Sequence, residues 1–234
     1  MKKVLHLVLL TGVFGVAMAF LESAVVVYLR DLYYPEGFAF PLKALDNRIA
    51  LTEILREAAT MIMLLSVAFI AQKGALPRFA IFIYTFAVWD IFYYLFLYCL
   101  LSWPPTLFTW DILFLIPVTW TGPVLAPVIN SLTMILLAIL VITRGTKNDG
   151  FRLSGFEWTL LIAGSVLTIT AYTHPYLSYL LDRFTLRELL RFNPGKEMTG
   201  YAMKFIPQKF NWFLFGSAEL LFFYCIGRIF FRTK

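Results

Sequence analysis

The chain has 234 residues, of which 60% are hydrophobic, 18% aromatic and only 15% charged. Soluble domains contain about 45–50% apolar and about 25% charged residues. The composition therefore excludes an ordinary soluble domain and predicts a chain that lies in a lipid bilayer. The net charge of +6 does not indicate nucleic-acid binding, because the basic residues lie between apolar runs, where they set orientation and meet anionic lipid head groups.

The first apolar run begins directly after Lys2 and Lys3. Together with Ala17, Met18 and Ala19 it imitates a cleavable signal peptide. The apolar run continues past that point, however, and reaches about 25 residues, enough to cross a hydrocarbon core of about 30 Å. We expect a retained first spanning helix, with cleavage in the cell as the alternative.

The other apolar runs are also continuous, without the alternation that lipid-facing strands show. This predicts an all-α fold, a polytopic membrane bundle of about six helices that forms one domain over residues 1–234. The predicted spans are 4–29, 50–71, 79–101, 113–142, 156–180 and 210–230.

Two segments of this bundle are expected to be irregular. Pro117, Pro123 and Pro127 predict a fourth span that is kinked or broken, because proline removes a backbone donor. In the fifth loop, Arg183, Arg187 and Arg191 recur every four residues and would form one helical stripe. We expect an amphipathic helix in the head-group zone there, and a dock for an anion or a partner is the alternative.

The distribution of Lys and Arg predicts the orientation of the bundle. Most loops favour an N-terminus and a C-terminus in the cytoplasm, although the basic fifth loop weakens the asymmetry. With the short loops and the N-terminal lysines, this indicates a bacterial cytoplasmic membrane.

Ionisable side chains at membrane depth are costly, so they are candidates for function. Glu53, Arg56 and Glu57 share one helix face at spacings of three and four residues. With the N-terminus inside, most of the candidates lie toward the outer leaflet, which predicts a polar pocket open to the outside with Asp90 at its floor and Glu219 near the midplane. The predicted pocket residues are Glu22, Glu53, Arg56, Glu57, Asp90, Asp111 and His174.

This pocket holds more carboxyl groups than bases, which points to protons, a hard cation or a cationic ligand group. A purely structural interpretation stays open. Arg56 could pair with Glu22 to hold two helices together, Asp111 could cap the fourth helix, and His174 could be a packing residue.

The sequence lacks the residues that several kinds of cofactor and catalytic site require. The two histidines, His6 and His174, are predicted near opposite surfaces, so they cannot form a bis-histidine haem site. There is no Gly-Lys-Ser/Thr of a nucleotide-binding loop, no HExxH and no GxSxG. The cysteines Cys99 and Cys225 form no CxxC. We therefore predict no haem and no nucleotide, which leaves a proton or a hard cation.

Three functions are compatible with these residues. The first is small-solute or ion transport, or the ligand-binding membrane component of a transporter. The second is a non-catalytic subunit of a larger membrane complex, in which the partners are other membrane subunits or copies of this chain. The third is an intramembrane enzyme that uses carboxylates or a metal. The lipid bilayer is the one partner that all three share.

Overall fold

The computed structural model describes residues 2–43, 45–148, 150–189 and 195–232, and most of these residues are helical. Two short strands interrupt the helices between α3 and α4. The elements in chain order are α1 (Lys2–Tyr33), α2 (Asn47–Ala71), α3 (Ala75–Leu101), β1 (Trp110–Phe114), β2 (Trp120–Pro123), α4 (Leu125–Lys147), α5 (Gly155–Leu181), α6 (Leu186–Leu189), α7 (Lys196–Ala202) and α8 (Trp212–Phe231).

In this described part of the chain, six helices are long and apolar enough to cross a membrane: α1, α2, α3, α4, α5 and α8. Many large apolar side chains on these helices are exposed, among them Ile70 and Phe213, each 86% exposed. Such a surface suits hydrocarbon rather than water. The predicted multi-pass helical fold is confirmed at this level.

Contacts between distant residues define two ends of the bundle. Near the end of α1, Arg30 contacts Asp111 in β1 and Trp103, which follows α3; we call this the hairpin end. Arg232, directly after α8, pairs with Glu157 near the start of α5; we call this the termini end.

A stripe of small residues lets α1 lie close to α3. Gly15, Ala19 and Ser23 follow one another at four-residue spacing, and both Ala19 and Ser23 are fully buried. A Cβ on Gly15 would lie 3.1 Å from the backbone oxygen of Thr85. The Ser23 hydroxyl lies 3.2 Å from the Tyr93 carbonyl oxygen, which accepts its hydrogen bond. Small residues at this spacing are typical of close contacts between spanning helices.

The predicted fourth span is wrong in its first twelve residues, 113–124, because α4 begins at Leu125. Residues 110–123 form an antiparallel hairpin in which Asp111 pairs with Gly122 and Phe114 with Trp120. Aromatic and β-branched residues favour strands, and an apolar run alone does not distinguish a buried strand from a helix.

The three prolines consequently have different positions from those expected. Pro117 lies between the strands and Pro123 at the end of β2, whereas Pro127 is the third residue of α4. Proline is tolerated in the first turn of a helix because its missing donor would be unpaired there in any case. These prolines therefore delimit α4 and do not break it.

The fifth loop also differs from the expected single amphipathic helix. Helix α5 ends at Leu181, and a turn containing Arg183 precedes the four-residue α6, which contains Arg187. Arg183 pairs with Glu197 at 2.7 Å on the exposed surface. Arg191 lies outside the described residues. A continuous arginine stripe is thus not observed in the part that the structure describes.

Candidate functional site

A cavity of about 230 Å³ lies at the hairpin end between α1, α2, α3 and β1. We call it the acidic cavity, because five carboxyl groups line it against three basic groups. The ionisable residues of its wall other than tyrosine are Glu22, Arg30, Lys43, Glu53, Arg56, Glu57, Asp90 and Asp111.

Six of the seven predicted pocket residues thus line one cavity, and the exception is His174. It lies on α5, is exposed, and does not border the acidic cavity. The prediction grouped it with the others by membrane depth alone, and depth does not determine which helices are neighbours.

Arg56 organises one side of the acidic cavity. Its guanidinium contacts the carboxylate of Glu22 on α1 and lies 2.8 Å from that of Glu53, one turn earlier on α2. The Arg56 Nε also donates to Glu53 at 2.9 Å. A partly buried arginine between two carboxylates neutralises the charge of both, and its hydrogen bond to Glu53 is charge-assisted. Glu22 and Glu53 therefore have a structural role, since their pairs with Arg56 hold α1 against α2.

Glu57 is buried but has a different kind of partner. Its two carboxylate oxygens accept from the backbone N–H of Leu115, at 3.0 and 2.9 Å. Leu115 directly follows β1, so this contact ties the hairpin to α2. Glu57 is ten residues into α2, about 15 Å along its axis, and the hairpin therefore reaches well into the bundle. No described cation lies within ion-pair distance of Glu57.

Asp90 on α3 is the second carboxyl group of the acidic cavity that has no cation partner among the described residues. It accepts a hydrogen bond of 2.8 Å from the hydroxyl of Ser131 on α4. Asp90 also lines a second cavity, of about 360 Å³, which lies farther toward the termini end among α3, α4 and α5. Asp90 thus borders both cavities. Leu113 and Phe114 also line both of them.

Asp111 in β1 contacts two groups at the hairpin end. The guanidinium of Arg30 lies 3.8 Å from one of its oxygens, and the Tyr94 hydroxyl donates to the other at 3.2 Å. Burial raises the pKa of Asp111 to about 6, while the charge of Arg30 opposes this shift.

The interpretation of Asp111 as a helix cap is wrong. It lies in β1, and the residue before α4 is Val124, whose side chain makes no capping hydrogen bond.

Arg30 and Lys43 line the acidic cavity but were not among the predicted pocket residues, and Arg30 is the buried one of the two. It is only 7% exposed, and its guanidinium lies 3.8 Å from the centre of the Trp103 ring and 4.7 Å from that of Phe38. Cation–π contacts of this kind stabilise a desolvated arginine. Arg30 lies just after the predicted first span, 4–29, and no local pattern distinguishes a charge at such a position from a buried one.

Two further buried carboxyl groups lie outside the acidic cavity. Glu219 on α8 accepts from Thr133 at 2.7 Å and from Asn130 at 3.1 Å, both on α4. Glu157, near the termini end, is fully buried and pairs with Arg232 at 2.9 Å. It also completes a capping box with Ser154 at the start of α5. Both groups connect helices through fully paired oxygens.

Among the described residues, no group of three or more His, Cys, Asp and Glu side chains is arranged to hold a metal ion. Comparison of the chain with protein-family models, with characterised proteins and with solved structures gave no match.

Proposed function

We propose that this chain is a membrane transport protein that carries a proton or a small cationic solute through the acidic cavity. The observation that supports this proposal best is the pair of carboxyl groups, Glu57 and Asp90, that line the cavity without a described cation partner. Ionisable groups in a membrane interior are costly and are usually paired or lie on a substrate or ion pathway.

The ion pairs of the cavity reduce the number of carboxyl groups that could bind a transported cation. Arg56 pairs with Glu22 and Glu53, and Arg30 pairs with Asp111. These pairs leave Glu57 and Asp90 as the carboxyl groups of the cavity on which a cation or a proton can bind without displacing a described basic side chain. The ligand is therefore a cation small enough for about 230 Å³, or a proton.

The position of Asp90 favours transport over simple binding. Because Asp90 borders both cavities, a proton or cation bound there adjoins two separate spaces inside the bundle. The hairpin next to it is non-helical backbone deep in the bundle, and transporters place such backbone beside their binding sites. We further propose that both termini lie in the cytoplasm of a bacterium, so that the acidic cavity faces outward.

Reconstituted vesicles test this proposal. We expect vesicles with the purified chain to take up either protons, followed by an entrapped pH-sensitive dye, or radiolabelled choline faster than empty vesicles do. Glu57→Gln and Asp90→Asn should each slow the uptake by about tenfold or more, since loss of about 1.4 kcal/mol corresponds to a factor of ten.

Glu219→Gln is the matched control, because it also neutralises a buried carboxyl group but does not line either cavity. Its uptake should stay within about twofold of the parent chain, a difference below 0.5 kcal/mol. Uptake of neither probe above that of empty vesicles, with the chain folded, would contradict the proposal. So would equal uptake by the parent chain, Glu57→Gln and Asp90→Asn.

A further inference from the structure

The second cavity has a wall that is mostly apolar. Its volume of about 360 Å³ lies within the range of small-molecule sites, about 300–1,000 Å³. Large side chains from α3, α4 and α8 cover much of it, among them Phe82, Phe86, Met134, Leu137 and Phe222. Such a wall favours a molecule that is itself largely apolar.

Three polar atoms on this wall have no hydrogen-bond partner among the residues that the structure describes: the indole nitrogen of Trp120 and the hydroxyl oxygens of Thr168 and Tyr172. Thr168 is 7% exposed and Tyr172 is 5% exposed. A buried polar group without a partner destabilises the fold, and native proteins leave few of them. Three in one cavity therefore need an explanation.

The three groups are close to one another. Thr168 and Tyr172 are one turn apart on α5, and the ring of Tyr172 stacks on that of Trp120 at 6.0 Å. An indole N–H can only donate, and both hydroxyl groups can donate as well. Their common complement is a group that accepts hydrogen bonds.

We propose that the second cavity binds an uncharged lipophilic molecule whose carbonyl oxygens accept hydrogen bonds from Trp120, Thr168 and Tyr172. The apolar remainder of the molecule packs against the phenylalanines and Met134. Ile169 lines the cavity and is 42% exposed on the surface of α5, so one side chain separates the cavity from the outer surface of that spanning helix. This site does not depend on the transport function proposed for the acidic cavity.

The required chemistry, a carbonyl head on an apolar body, has two sources in a membrane. One is an isoprenoid quinone, whose carbonyl groups lie on a flat ring, and the other is an acyl ester lipid. Titration of the detergent-purified chain, followed by native mass spectrometry, distinguishes them. The probes are a naphthoquinone with a short isoprenoid tail, dioleoylglycerol, and squalene as a hydrocarbon without carbonyl groups.

We expect one carbonyl probe to bind with one-to-one stoichiometry and more tightly than squalene. The preferred carbonyl probe identifies the source. Squalene binding as tightly as both carbonyl probes, or no saturable binding of either carbonyl probe to the folded chain, would overturn the proposal.

Variants locate the binding within the molecule. Tyr172→Phe and Thr168→Val remove a donor but keep the shape, so each should weaken binding by about 2- to 12-fold, the equivalent of one hydrogen bond of about 0.5–1.5 kcal/mol. Met134→Trp should block the cavity while all three donors remain. The control is Thr170→Val, since the exposed Thr170 hydroxyl bonds to the Val166 carbonyl of its own helix.

Unfolding midpoints identify any variant that fails to fold, and binding is compared among folded variants only. Unchanged affinity in Tyr172→Phe, Thr168→Val and Met134→Trp would place the bound probe elsewhere and refute the site.

Discussion

Glu157 and Glu57 are both buried glutamates on spanning helices, but their surroundings differ. Glu157, near the termini end, is fully enclosed, pairs with Arg232 and caps its own helix. Glu57, near the hairpin end, accepts one backbone N–H and faces a cavity. A buried carboxylate that neighbouring groups fully satisfy stabilises a packing arrangement. One that faces a cavity without a counter-ion leaves part of its charge for something that enters.

The largest effect in this comparison is expected from loss of the Glu157 carboxylate. Glu157→Leu removes the ion pair and the capping box together, and it leaves the Arg232 guanidinium without its counter-ion. We expect a loss of about 3 kcal/mol in the free energy of unfolding, the lower end for breaking a buried pair, because Arg232 is itself 35% exposed. Thermal unfolding in detergent measures it.

The matched control is Glu197→Leu, which breaks the exposed pair with Arg183. Surface pairs contribute little to stability, so its unfolding midpoint should hardly change. Equal midpoints for Glu157→Leu and the parent chain would show that the termini end is not held by this pair.

A smaller effect is expected at the hairpin end, where Arg30 and Asp111 form the analogous pair. Arg30→Met should lower the free energy of unfolding by about 2 kcal/mol, since it leaves Asp111 buried without a cation. Asp111→Asn in the Arg30→Met background should restore part of this loss. Strictly additive losses in the double variant, measured by the same unfolding experiment, would contradict a direct coupling between the two side chains.

The sequence predicts the features of this protein that depend on a single segment of the chain. The six apolar helices follow from length and hydrophobicity, since both are local properties. The spacing of Glu53, Arg56 and Glu57 also indicated one helix face, and all three residues line the acidic cavity. These features depend on contacts within one segment, or on the bilayer thickness alone.

The features that the sequence did not reveal depend on contacts between segments. Residues 110–116 form a continuous apolar run apart from Asp111, so periodicity could not separate a strand from the start of a helix. The role of Arg30 depends on Trp103 and Asp111, which are distant in sequence. The Glu157–Arg232 pair likewise joins residues 75 positions apart.

The smallest change in stability is expected for the two carboxyl groups on which the proposed function rests. In Glu57→Gln the amide oxygen can still accept from Leu115, and in Asp90→Asn it can still accept from Ser131. Neither substitution leaves a basic side chain without its counter-ion, because no described basic side chain pairs with Glu57 or Asp90. We therefore expect each variant to unfold within about 0.5 kcal/mol of the parent chain, as conservative substitutions away from a paired network do.

The same variants are expected to lose most of their transport, so stability and uptake should separate at the hairpin end. They should not separate in Glu157→Leu, where any loss of uptake should follow the fraction of unfolded protein. Destabilisation of Glu57→Gln by as much as Glu157→Leu would show that the two glutamates serve the same structural purpose. The distinction between a satisfied and an available carboxylate would then fail for this protein.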